Sequence, residues 1–577
     1  MTADTSALIE AAKAWRDQDP DDTTRAELDA LISAAGSSDE KAVADLTDRF
    51  GSRLEFGTAG LRGQLGAGPN RMNRVLVTQA AAGLAAYLVT EATRTGSTPP
   101  SIVIGYDGRT NSEVFARDTA EIMAGAGVVA TILPRMLPTP VLAFAVRELD
   151  ASAGVMVTAS HNPAADNGYK VYLGGLDHGS QIVSPVDAAI AEQITLVAGG
   201  RITGLPRSTS YTTAGEEVLD EYVRRTVALA ATSRADRAHV DVVYTAMHGV
   251  GWETARRVFI DAGFGEPKVV EQQIAPDAAF PTVAFPNPEE PGALDLAFER
   301  AHETGAELII ANDPDADRLA IAIPTGDGQW RSLSGNEVGA LLGWRAAERL
   351  LRADGDPGSS TAATGPGTGR TLAASIVSSP ALREIARKYN LDYVDALTGF
   401  KWISRAGGLA YGYEEALGYL VDPDKVRDKD GISAAVDFLT LVAELKAAGQ
   451  TVTDHLAAFA EKFGAYASSQ ISLRVTELSE IPRIMAALRQ SPPADVGDVR
   501  VESIDDFSAG FGSFPPSNIL RIWLLGGARI IVRPSGTEPQ LKVYIDASST
   551  TGSAAERQAA AEGMVQTLDA GMRTLIA

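Results

Sequence analysis

Residues 306–323 read AELIIANDPDADRLAIAI, two apolar runs on either side of a loop that carries Asp313, Asp315 and Asp317. Short runs of this kind, rich in Leu and Ile, are strands buried on both faces, the pattern of a parallel α/β layer. The aspartates therefore stand where a buried strand stops, the edge at which such sheets bind ligands. Three carboxylates brought to one point repel one another and stay ionised only if a cation joins them. Oxygen-only ligands select a hard ion such as Mg²⁺. An EF-hand is excluded by spacing, because Arg318 stands where that loop needs glycine and Pro324 where it needs the bidentate glutamate. A solvated acidic turn is at odds with the apolar flanks.

Working outward, residues 154–157 form a second apolar run that ends in TASHNP at 158–163. Ser160 is thus expected on an exposed turn at a strand's carboxyl end. Its plain reading is a helix cap; the other is a phosphoryl carrier, since a serine hydroxyl is a weak nucleophile that an adjacent metal can activate. Residues 533–539, RPSGTEP, join two strands with Gly536 at the bend. Successive backbone N–H groups with Arg533, Ser535 and Thr537 make an anion cradle, and a plain hairpin turn seldom needs so many donors.

FGTAGLRG at 56–63, TASHNP at 158–163, DPDADR at 313–318 and RPSGTEP at 533–539 occur in one order over most of the chain. In these motifs the sequence resembles the α-D-phosphohexomutases, the family of phosphoglucomutase, phosphomannomutase and phosphopentomutase. The resemblance implies an α/β fold of four domains around a central cleft, three similar α/β domains with mixed sheets and a smaller α+β domain at the C-terminal end. The expected division is a helical extension at 1–50, the phosphoserine domain at 51–215, the metal-loop domain at 216–330, the sugar-recognition domain at 331–462 and the phosphate-loop domain at 463–577.

The resemblance also implies roles. Ser160 rests as a phosphoserine whose phosphate joins Asp313, Asp315 and Asp317 around Mg²⁺. Lys170, in DNGYK, matches the general acid/base and Arg62 its electrostatic partner. His161 either hydrogen-bonds the substrate or shapes the loop, and Arg318 orients the phosphoryl group. Thr398, Gly399 and Lys401 in TGFK, Glu414 and Glu415 in YEEALG, and Lys429 in RDKDG match the sugar-reading parts. Ala416 stands where many glucose mutases have serine. Arg533, Ser535, Gly536 and Thr537 would hold the non-reacting phosphate in both poses of the sugar.

The activity so implied is interconversion of hexose 1- and 6-phosphates, glucose ahead of mannose, primed by glucose 1,6-bisphosphate, with a phosphopentomutase as the alternative. A phosphosugar hydrolase or a non-catalytic sugar-phosphate sensor is more remote, because serine, lysine and aspartates are all present.

With 577 residues the chain is too long for one core, and roughly three to five domains of ~100 to 200 residues are expected. A formal charge of −23 argues against nucleic-acid and anionic-membrane partners, so a phosphorylated substrate needs a local basic cluster. Zero cysteines exclude disulfides, thiolate catalysis and Cys-ligated zinc. No apolar run approaches the ~18 residues of a membrane span, and MTADTSALIEAAKAWRDQDP shows no basic segment followed by an apolar core. The expectation is a cytoplasmic monomer or homodimer. Residues 353–369, ADGDPGSSTAATGPGTG, read as a surface insertion. Thr110 with Glu113, and Ser334 with Glu337, match helix capping boxes. MHGVG at 247–251 reads as a strand-to-helix turn, and Asp107 with Arg109 in YDGRT as another.

Overall fold

The computed structural model describes residues 3–57, 60–96, 99–230, 237, 239–354, 370–475, 477, 479–535 and 540–576. The insertion at 353–369 and the tip of RPSGTEP thus lie largely outside the described residues. The chain divides into two compact units, residues 1–333 with 400–405 and 418–443, and residues 334–399 with 406–417 and 444–577.

The first unit opens with three helices, Ala3–Arg16, Asp22–Gly36 and Glu40–Phe50. Asp21 and Asp39 cap the second and third by accepting their first free N–H groups. Ile9, Ala12, Trp15, Leu28 and Leu46 face inward and pack with Ala67, Val75 and Ile202. This is the helical lead-in read from the 3.6-residue spacing.

A seven-stranded mixed sheet follows. Its parallel centre is Ala153–Val157, Ser101–Tyr106 and Val129–Ile132, and Asp166–Leu173 runs antiparallel beside Ala153–Val157. All five residues of Ala153–Val157 are buried, which is why its sequence is a continuous apolar run. Helix Arg74–Thr95 has the length and apolarity to cross a membrane, but 67% of its apolar window is buried, and it packs in this core as Leu76, Ala80, Leu84 and Leu88. The second sheet, of five strands, sets Leu308–Ala311 parallel to Val242–Thr245 and antiparallel to Ala320–Pro324. The two apolar runs of residues 306–323 are therefore adjacent strands, and the aspartate loop is the turn between them.

Strands Thr371–Ser375, Asp392–Ala396 and Leu409–Glu414 pair in parallel in the second unit. A six-stranded sheet ends the chain, in the order Ala465–Arg474, Gln540–Ser549, Arg529–Pro534, Leu520–Leu524, Val499–Asp506, Asp495–Val496. Helices Glu480–Gln490 and Ala554–Ile576 contribute Ile484, Leu488, Leu568 and Met572 to its core. Strand Val499–Asp506 had no sequence signal: VRVESIDD lies near the sheet's edge and leaves most of its residues in contact with water.

The Ser334 and Glu337 box is present, with reciprocal bonds of 3.2 Å and 2.8 Å. The Thr110 and Glu113 box is not. That helix begins at Ser112 behind Asn111, whose φ of 67° is left-handed, and no side chain caps it. The Ser112 hydroxyl is instead drawn to Asp107, so the start of the helix is set by the Asp107 turn.

Strand Arg529–Pro534 runs into the RPSGTEP segment and is fixed by a buried ion pair. Arg529 is 1% exposed and donates to Asp546 and to the carbonyl of Ser378, each at 2.6 Å. Removing one partner strands the other charge in the interior. Arg529→Met should lower unfolding stability by about 3–5 kcal/mol, and Arg529→Met with Asp546→Leu should recover most of that loss. Denaturant titration checks both, and a single variant no less stable than the double one would count against the pair.

Candidate active site

The loop between Leu308–Ala311 and Ala320–Pro324 is tightly held. Asp313, Asp315 and Asp317 are each 0% exposed, with carboxylate oxygens within 4.8 Å of one another. Asn312 donates to Arg318 O (2.6 Å) and accepts from Tyr244 Oη (2.8 Å), while Arg318 N–H donates to Asp313 Oδ1 (3.0 Å). The MHGVG turn backs the loop, with Val250 N–H bonded to Pro314 O at 2.8 Å. A Cβ on Gly249 would lie 2.2 Å from Pro314 Cα, so only glycine fits there. His248 spends its Nε2 on Thr282 Oγ1 (2.8 Å), in keeping with a structural turn.

Ser160 follows the buried strand Ala153–Val157, as expected, but its turn is not exposed. The residue is 3% accessible and has φ of 52°. Ser160 Oγ donates to Asp313 Oδ2 at 2.9 Å, and His161 Nδ1 lies 3.2 Å from Ser160 Oγ. The hydroxyl is buried because it closes onto the aspartate loop. Burial, then Arg318 and Arg62, hold the His161 pKa well below its usual value, so its imidazole is neutral. Arg62 Nη1 donates to Asn162 Oδ1 at 3.2 Å.

Lys170 is brought to the cluster by strand Asp166–Leu173. Its Nζ donates to Asp315 Oδ2 (2.7 Å) and Asp317 Oδ2 (2.9 Å). Lys429 Nζ reaches Asp317 Oδ2 at 3.3 Å. Burial would lower the Lys170 pKa, but Asp315 and Asp317 outweigh it and raise it. For Asp317 burial is likewise opposed, by Lys170, Lys429 and Arg318, which hold it below the usual carboxylate range. Among the described residues no lysine pairs with Asp313, and burial with the charges of Asp315 and Asp317 pushes it well above that range.

Five supporting residues carried no functional reading in the sequence. Thr139 Oγ1 donates to Asp315 Oδ2 (2.6 Å), and its N–H to Asp315 O (2.9 Å), at the start of helix Thr139–Glu148. Asp428 accepts from Tyr172 Oη (2.9 Å) and Gln181 Nε2 (2.7 Å), which fixes the segment bearing Lys429. Lys170 and Tyr172 share a face of one strand, the only sequence signal available. Arg109 grips the serine loop by its carbonyls.

The donor set fits a hard divalent cation. Asp315 Oδ1 and Asp317 Oδ1 are buried without a hydrogen-bond partner, an arrangement that a bound cation would satisfy. Asp313, Asp315, Asp317 and an oxygen on Ser160 could hold it.

The other expected residues are placed as follows. Lys401 lies in the first unit, in helix Phe400–Ile403, with its carbonyl accepting from Arg405. In the second unit, Thr398 Oγ1 is buried without a partner, and Gly399 takes a φ of 108°. Glu414 ends strand Leu409–Glu414 and is 8% exposed. Glu415 Oε2 accepts from Ser378 Oγ at 2.8 Å. Arg533 is the penultimate residue of strand Arg529–Pro534, and Ser535 N–H bonds Gln540 O at 2.8 Å. Gly536 and Thr537 lie outside the described residues.

Four family models match the chain in succession. They are phosphoglucomutase/phosphomannomutase alpha/beta/alpha domain I at 53–198, domain II at 220–326, domain III at 334–463 and the C-terminal domain at 471–562. The chain belongs to the phosphoglucomutase/phosphomannomutase family. It is a mutase of the isomerase class with the four-domain phosphohexomutase architecture. A Haemophilus influenzae protein named "Probable phosphomannomutase" is 55% identical over 84% of this chain and 95% of its own length. The mouse phosphopentomutase is 33% identical over 93% and 90%. The solved structure of Paramecium parafusin, a phosphoglucomutase, shares the fold at 18% identity with a TM-score of 0.65, covering 90% of this chain and 95% of its own.

For this mutase a cation held by the aspartates should stabilise the fold by mass action, about 2.7 kcal/mol at a hundredfold excess over Kd. The expected result is a melting temperature that rises with Mg²⁺ in the wild type and not in Asp317→Asn. Without Mg²⁺, Asp313→Asn should melt no lower than the wild type, because it removes a carboxyl that is poorly accommodated. A Mg²⁺ response that survives Asp317→Asn would place the ion elsewhere.

Proposed function

We propose that this mutase interconverts hexose 1-phosphate and hexose 6-phosphate, glucose ahead of mannose, through a phosphoserine at Ser160 and a hexose 1,6-bisphosphate. The observation that carries this reading is the 2.9 Å bond from Ser160 Oγ into the buried aspartate cluster, with Lys170 bridging two of its carboxylates. In this reading residues 51–215 hold the phosphoserine, 216–330 the metal loop, 331–462 the sugar loops and 463–577 the phosphate loop. Mg²⁺ bound to Asp313, Asp315 and Asp317 would supply charge stabilisation for a phosphoryl group on Ser160, as phosphoryl transfer requires.

The chain's own groups then divide the work. In the transfer to sugar, the bond from phosphorus to Ser160 Oγ breaks and a bond to a sugar hydroxyl oxygen forms. The hydroxyl proton passes to Lys170 Nζ and from there to Ser160 Oγ. Lys429 and Arg62 favour the neutral form of Lys170 and Asp315 and Asp317 its charged form, a pull that a cation held by those carboxylates would weaken. Arg62 and Arg318 orient and neutralise the moving phosphoryl group. Neutral His161 accepts from or donates to the serine or the sugar.

Glu414, with Glu415, Thr398, Gly399, Lys401 and Lys429, reads sugar hydroxyls. Arg533, Ser535, Gly536 and Thr537 take the distal phosphate in either pose. Glucose 1,6-bisphosphate primes the serine. The 33% identity to a phosphopentomutase keeps ribose 1-phosphate as the second reading.

Intact-mass analysis after incubation with glucose 1,6-bisphosphate should find one phosphate, at Ser160. Ser160→Ala should lose mutase activity altogether; retained turnover would end the phosphoserine reading. Coupled assays should rank glucose 1-phosphate above mannose 1-phosphate and ribose 1-phosphate in kcat/KM. A ribose-first order would make the enzyme a phosphopentomutase.

A further inference from the structure

We propose that Arg109 is the positioning residue of the serine: its guanidinium grips the carbonyls of the 160–166 loop and holds Ser160 in the backbone conformation that aims its hydroxyl at Asp313. The inference rests on the reading of Ser160 as phosphoryl carrier.

Ser160 is a non-glycine residue at φ 52°, a left-handed conformation that persists only where the surroundings impose it. Arg109 imposes it. Its Nη2 donates to Ser160 O and Asn162 O, both at 2.6 Å, and its Nη1 to Pro163 O at 2.8 Å and Asp166 O at 3.1 Å. Four carbonyls of one loop thus converge on one planar cation. The loop's own bonds run from Ser160 N–H to Thr158 Oγ1 (2.8 Å), Asn162 N–H to Ala159 O (3.1 Å), Asp166 N–H to Pro163 O (3.0 Å) and Asn162 Nδ2 to Asp166 Oδ2 (2.9 Å), and they leave the carbonyls of Ser160 and Asn162 to Arg109.

The guanidinium is itself immobilised. Arg109 is 4% exposed, with Nε 3.5 Å from Asp107 Oδ2. Asp107 is held in turn by Ser112 Oγ (2.6 Å) and Arg109 N–H (3.0 Å). The Phe280 ring lies 4.8 Å from the guanidinium carbon. Phe280 sits against His248, beside the Gly249 that backs Pro314. One side chain therefore ties the serine loop to the substructure that carries Asp313. Among the described residues, all the hydrogen bonds of its two terminal nitrogens go to main-chain carbonyls, so its action on the reaction passes through Ser160. Lysine cannot replace it, because an ammonium has no planar fork to serve four acceptors.

The test compares wild type, Arg109→Ala, Arg109→Lys and Phe280→Ala in the full-length enzyme with Mg²⁺. Folding is followed by thermal melting, Ser160 phosphorylation by quenched-flow intact mass with glucose 1,6-bisphosphate, and turnover by kcat and KM. For Arg109→Ala, phosphorylation rate and kcat should fall roughly a hundredfold, the scale of a reacting group misplaced by an ångström, with KM little changed. Millimolar guanidinium chloride should restore part of the kcat of Arg109→Ala, and Arg109→Lys should stay impaired. Folded Arg109→Ala that is phosphorylated at the wild-type rate, a defect confined to KM, or no response to guanidinium would overturn the proposal. Should Arg109→Ala not fold, Phe280→Ala decides: a lower kcat at unchanged KM supports the clamp, and an unchanged kcat overturns it. A wild type that takes no phosphate at Ser160 would instead defeat the carrier reading, and this one with it, whatever the variants do.

Discussion

The mutual repulsion of three buried carboxylates is the constraint on which this enzyme's site depends. Two unit charges 4 Å apart interact by about 4 kcal/mol at an effective dielectric constant near 20, and Asp313, Asp315 and Asp317 have no exposure to water. Left alone, such a cluster would take up protons. Lys170 and Lys429, from distant parts of the chain, meet it at 2.7–3.3 Å, Thr139 adds a hydroxyl and a backbone N–H, and Ser160 donates its hydroxyl to Asp313. The same contacts that make the cluster tolerable bring the serine and the lysine together. Positioning for chemistry and compensation of buried charge are here one arrangement.

Much of this was legible in the sequence, for identifiable reasons. The strands flanking the aspartates are buried on both faces, so their code is a continuous apolar run that hardly depends on context. Ser160 and the aspartates follow such runs directly, and their place at strand ends came with them. Part of what failed depended on neighbours distant in sequence. Ser160 was expected on an exposed turn, yet it is covered because Asp313, 153 residues later, accepts its hydroxyl. Thr110 and Glu113 have the spacing of a capping box, but Asp107 captures Ser112 and a left-handed Asn111 starts the helix. Strand Val499–Asp506 is too polar to betray itself. Thr139, Asp428 and Tyr172 look like ordinary polar residues until the fold brings Asp315 and Lys429 to them.

Ser160, Lys170, Arg62, the aspartates and Lys429 belong to the first unit, whereas Glu414, Arg533 and Ser535 belong to the second. The segment at 418–443 lies in the first unit although the sequence before and after it belongs to the second. Its Asp428 is bonded to Tyr172 and Gln181, two strands of the serine domain's sheet. Chain order and site membership therefore diverge most around Lys429, where motif reading alone would have assigned the lysine to the sugar loops.

The central claim is that the phosphoryl group rests on Ser160 beside a cation held by the three aspartates. Phosphorus NMR of the resting enzyme, titrated with Mn²⁺ in place of Mg²⁺, tests it most directly. The account predicts one phosphomonoester resonance, absent in Ser160→Ala, that stoichiometric Mn²⁺ broadens away in the wild type but not in Asp315→Asn. A resonance that persists in Ser160→Ala, or one that Mn²⁺ leaves sharp in the wild type, would contradict it.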